Sequence, residues 1–106
     1  MAKYLILASY TAEGAKGVLK DGGTKRRQAA EAAIKSAGGK LDGFYFAFGE
    51  SDAIVIVDAP DHATVASASL AINASGAVRT KTVVLLTPEE IDQASKKSTT
   101  YKAPGN

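Results

Sequence analysis

Apolar positions along this chain alternate between two periods. Lys3 to Tyr10 is short, rich in Leu, Ile and Tyr, and stops at Thr11-Ala12-Glu13-Gly14, which predicts a strand. Glu13 to Lys20 has room for a short helical turn, broken by Asp21-Gly22-Gly23. Thr24 can cap a helix running to about Ala37. Ala30, Ala33, Ile34 and Ala37 recur at spacings of three and four and form one apolar stripe, and Gly38-Gly39 supplies the stop. Leu41 to Phe48 predicts a second strand. Phe44, Phe46 and Phe48 share one of its faces and are expected to pack on a buried layer. Gly49 to Asp52 is a short polar turn before the β-branched strand Ala53 to Val57, so the two strands form an antiparallel hairpin.

Ala59-Pro60-Asp61 opens a second long helix in which Val65, Ala68, Ser69 and Ile72 share a face, and Gly76 closes it. Val78 to Leu86 predicts the fourth strand. Thr87-Pro88-Glu89-Glu90 reads as a capping box with proline at the first helical position, starting a short terminal helix through about Lys96. The resulting order, strand-helix-strand-strand-helix-strand, predicts an α+β, ferredoxin-like βαββαβ fold. Its four-stranded antiparallel sheet carries two helices on one face. Residues 1–97 form a single domain in this reading, and 98–106, which lack an apolar period, form a flexible tail.

The two central strands are apolar on both sides. Tyr4, Ile6 and Ala8 oppose Leu5 and Leu7, and Ala53, Val55 and Val57 oppose Ile54 and Ile56. A sheet with water on one side would alternate apolar with polar, so the helix-free face needs cover. A second copy packed sheet to sheet is the economical cover, and the terminal helix folding back is the alternative. The chain is therefore expected to be a homo-oligomer, a dimer or higher.

Composition narrows the chemistry. At 106 residues there is space for one modest core and none for a two-domain cofactor enzyme. A net charge of +2 lacks the concentrated basic footprint of a nucleic-acid binder. Cysteine is absent and His62 is the single histidine, so no thiolate, disulfide or multi-histidine metal site is expected, and neither a metal nor a cofactor is assigned. No run is long and apolar enough for a signal-peptide core or a membrane span. A soluble cytoplasmic protein of bacterial style is the default expectation.

Three segments resemble a known family. Lys3-Tyr4-Leu5-Ile6-Leu7 with Tyr10-Thr11, then Phe48-Gly49-Glu50-Ser51-Asp52, then Val78-Arg79-Thr80-Lys81-Thr82 look like the landmarks of the GYD-domain family. The similarity runs from about Lys3 to Glu90. The family's Gly-x-Tyr-Asp-like turn is matched by Gly49 and Asp52, with Ser51 where tyrosine is usual. The resemblance implies a layout similar to the dimeric α+β barrels and assigns no activity.

Candidate site residues follow from the residues themselves. Gly17 to Thr24 has the spacing of a phosphate loop, but Gly23 occupies the lysine position, which removes nucleotide hydrolysis. Lys25-Arg26-Arg27 follow in the first helical turn, where cations oppose the macrodipole unless an anion rests on the free amides; Arg26 and Arg27 are thus anion-binding candidates, or simply solvated cations. Asp52 either caps its turn or acts as a general base. Tyr10 and Tyr45 lie on strands and either face a cavity or belong to the core. Arg79 and Lys81 share one parity of the fourth strand, fit for binding an acid or for guarding an edge. His62, beside Asp61 in a first helical turn, is expected at the surface.

The leading expectation is a homo-oligomeric module binding a small organic or anionic ligand beside the sheet. The alternatives are a cofactor-independent oxygenase, isomerase or lyase using Asp52 or a tyrosine, and a purely structural assembly protein.

Overall fold

The computed structural model describes residues 1–106. Its elements are β1 (Ala2–Tyr10), α1 (Ala12–Ala37), β2 (Lys40–Phe46), β3 (Ala53–Ala59), α2 (His62–Ala74), β4 (Val78–Leu85) and α3 (Pro88–Ser95). The four strands form one antiparallel sheet in the order β2-β3-β1-β4. The protein is thus α+β, with the two long helices and the short terminal helix that the sequence predicts.

The parity expected from β1 and β3 sets the layers. Tyr4, Ile6, Ala8, Ala53, Val55 and Val57 are all buried against the helices. From α1 comes Ile34, from β2 Leu41 and from α2 Val65, completing the larger part of the core. Ala8, Ala53 and Val78 form a smaller part at the other end, and Phe44 packs against both. The opposite face carries Leu5, Leu7, Ile54 and Ile56, each only half-buried.

Local capping chemistry fixes the helix ends. Asp61 accepts from the Thr64 amide at 2.8 Å and starts α2. Thr87 and Glu90 exchange side-chain to backbone bonds at 3.1 and 3.0 Å, so the capping box of α3 is formed as the sequence predicts. Gly38 takes a left-handed conformation, φ 102°, and its amide reaches the Ile34 and Lys35 carbonyls to end α1.

The break expected at Asp21-Gly22-Gly23 is present: Gly22, with φ of 81° and ψ of 172°, parts α1 into two helical segments, the first starting at Ala12 with Thr11 as its cap and the second running to Ala37. Thr11 is held from outside the helix: its amide donates to the Ala77 carbonyl at 3.0 Å and its hydroxyl to the Gly76 carbonyl at 2.9 Å. One expectation is corrected: the three phenylalanines do not form one buried row. β2 ends at Phe46, which is 46% exposed, and Phe48 lies beyond it in solvent. Only Phe44 reaches the core, because β2 is an edge strand and α1 covers it only in part.

The terminal helix does not return over the sheet. It buries no residue, and every residue from Leu86 to Lys102 is exposed. The molecule is 55 Å long, with a radius of gyration of 16.8 Å against about 13 Å for a compact chain of this length.

Candidate functional site

Alanine controls the interior at one end of the molecule. Where α1 presents Ala29, Ala30 and Ala33 to Ala8 and Ala53, the side chains are too small to fill the space between helix and sheet. A cavity of about 110 Å³ results, walled further by Ile6, Phe44, Val55 and Val78. That size is of the order that admits one small aromatic ring. At the opposite end Leu41, Val57 and Val65 close the core.

The polar groups of this cavity are few. Arg26, Tyr10 and Thr80 line it, and the first two also line an adjoining depression with Glu13 and Gly17. Arg26 is half-buried on α1, one turn past the Gly22 break. Its guanidinium forms no ion pair: both ion pairs of the molecule belong to Lys3, with Asp42 and with Asp58. A half-buried cation without a carboxylate partner at an apolar hollow is suited to an organic anion, whose charge it would meet while the ring enters the hollow.

Asp52 stands behind Tyr10 rather than in the cavity wall. Its carboxylate accepts from the Tyr10 amide at 2.8 Å. Its own amide donates to the Ala8 carbonyl at 2.8 Å, and its carbonyl accepts from the Ala47 amide at 2.9 Å. One residue thus extends the β1–β3 and β2–β3 ladders past the start of β3 and supplies an acceptor for the last amide of β1. Tyr10 is set against Phe46, with ring centroids 6.5 Å apart.

The remaining candidates lie elsewhere. Tyr45 pairs with Ile54 and is 65% exposed on the helix-free face. Arg79 pairs with Ser9 on that same face, and Lys81 with Leu7. They border a polar trough with Glu50, Ser51 and Asn73. Arg27 is exposed on α1. Sheet pleating separates Arg79 from Thr80, so the cavity receives the threonine and not the arginine.

One arrangement was not foreseen. The Tyr4 hydroxyl, on a side chain only 1% exposed, is hydrogen-bonded to His62 Nδ1 at 2.6 Å. The rings meet edge to face with centroids 5.6 Å apart. Because a buried tyrosine seeks a partner for its hydroxyl, the lone histidine serves to satisfy it. No sequence signal links two residues 58 positions apart.

Charge pairing on the helix-free face lies at the edge of the apolar strip. Hydrogen bonding to Asp42, then to Asp58, raises the Lys3 ammonium above its ordinary pKa. The same bond to Lys3 lowers the Asp42 carboxyl. No cluster of three acidic, histidine or cysteine side chains stands ready for a metal ion, and no helix is long and apolar enough to cross a membrane.

No curated protein and no solved structure matches the chain. The family model described as the GYD domain matches residues 4–95, and it takes in β1 through α3, including the cavity walls, the Asp52 turn and the Tyr4–His62 pair. The chain belongs to the GYD-domain family.

Proposed function

We propose that this protein is a homo-oligomeric module that holds a small organic anion in the hollow between α1 and the sheet. The observation that carries this reading is Arg26, a half-buried cation without an ionic partner at the rim of an otherwise apolar cavity. Tyr10 and Thr80 add hydroxyl groups at the same rim. Asp52 acts by positioning Tyr10 through its backbone amide. The strand order, with a helical crossover on each side of the β2-β3 hairpin, supports the ferredoxin-like reading of the fold. Leu5, Leu7, Ile54 and Ile56 on the open face support pairing with a second copy, since a contiguous apolar strip on a sheet seeks cover.

Benzoate is the simplest probe of the right shape and charge. Calorimetric titration of the wild-type protein should give saturable binding in the millimolar range or tighter. Loss of the charge-assisted bond in Arg26→Gln should weaken it about ten- to a hundredfold. Filling the hollow with Ala33→Phe should abolish binding while leaving Arg26 in place. Equal benzoate affinity in all three proteins would refute the site.

A further inference from the structure

We infer that α3 and the chain after it form an arm that closes over the sheet of a second copy, setting its acidic side against Arg79 and Lys81 of the partner subunit. The inference rests on the sheet-to-sheet pairing proposed above, and three observations lead from that pairing to the arm.

The first is shape. Two twisted sheets meet at their centres and splay at their corners, so sheet pairing alone leaves the corners, including the ends of the edge strand β4, uncovered.

The second is the arm itself. The capping box and Pro88 make α3 a well-formed helix, yet it touches no core. Leu86, Ile91 and Tyr101 are all exposed on it or beside it. A helix shorter than about 12 residues is marginal without tertiary contacts, so a surface that packs against it is needed. Its own sheet does not provide that surface, since α3 buries no residue against it.

The third is charge. Glu89 and Asp92 lie three residues apart on one side of α3, and neither has an ionic partner. Arg79 and Lys81 are likewise unpaired, on the helix-free face at the start of β4. The arm leaves from the other end of the same strand, after Leu85. A two-fold axis lying between the sheets and across the strands reverses one copy's strand ends over the other's. That operation brings the side of each α3 that carries Glu89 and Asp92 to the partner's Arg79 and the partner's Lys81, twice per dimer, as an isologous contact requires.

The test is a charge-swap cycle on the full chain, with the dimer dissociation constant read by sedimentation. All four positions are exposed, so circular dichroism should show unchanged folding. Glu89→Lys with Asp92→Lys should raise the constant about tenfold or more, because like charges then face each other. Arg79→Glu with Lys81→Glu should do the same, and combining all four should restore affinity to within about threefold of wild type. A wild-type dimer indifferent to the arm swap would overturn the arm and leave sheet pairing standing. A weakened dimer that the combined swap does not restore would overturn the assigned acceptor. A monomeric wild type would remove the sheet pairing and the arm together.

Discussion

Replacing Asp52 with alanine isolates the role of the family turn. In the native protein its carboxylate gives the Tyr10 amide its acceptor, at 2.8 Å in a half-buried position. Removing that acceptor leaves an amide poorly placed to recruit water, at a cost of about 1–3 kcal/mol. The backbone bonds of residue 52 to Ala8 and Ala47 persist, so the loss is confined to the side chain. A central value of about 2 kcal/mol corresponds to a melting temperature about 8–16 °C lower for a domain of this size. Asp52→Asn retains an oxygen in the same place and should cost less than about 1 kcal/mol, since a neutral acceptor keeps roughly half of a charge-assisted bond. Thermal and urea denaturation followed by circular dichroism measure both. An Asp52→Ala protein melting within about 2 °C of wild type would refute the positioning role. So would an Asn variant as unstable as the Ala variant, which would mean that the charge, rather than the acceptor, matters.

Two further outcomes follow from close packing and from titration. Gly14→Ala should destabilise strongly although alanine favours a helix by about 1 kcal/mol: its Cβ would lie 2.0 Å from the Ala77 carbonyl oxygen, so the α1 start must move off the α2–β4 connection. A more stable Gly14→Ala protein in urea denaturation would contradict this packing. Bonds from the Thr64 hydroxyl and then the Thr64 amide hold the Asp61 carboxyl below its ordinary value of 3.8. A depressed carboxyl contributes stability above its unfolded pKa and loses it as pH falls through the folded value, so the capping contribution should fade on acidification below about pH 4. Asp61→Asn should flatten that part of the curve of melting temperature against pH; superimposable acid limbs in the two proteins would show that the cap does not titrate.

Much of the fold was legible because the deciding interactions are short-ranged. The Thr87–Glu90 capping box closes within three residues, and Gly38 needs only its own φ to stop α1. Alternation along β1 and β3 assigned each side chain to a sheet face before any partner was known, since pleating is a property of the strand itself. Dependence on distant chain defeated the rest. The bonds that tie the Thr11 cap to Gly76 and Ala77, more than sixty residues away, have no local signal. Phe46 alternates with Phe44, but only tertiary structure decides how far α1 reaches across an edge strand. Tyr10, Arg26 and Thr80 come from three separate elements, and no spacing announces that they border one cavity. By itself, the sequence determined the succession of elements, their caps and the two faces of each strand, all of which follow from local sterics and hydrogen bonding. Only the tertiary structure decided that the alanines of α1 would lie over those of β1 and β3 and leave a hollow, because a void exists only between surfaces that distant parts of the chain bring together.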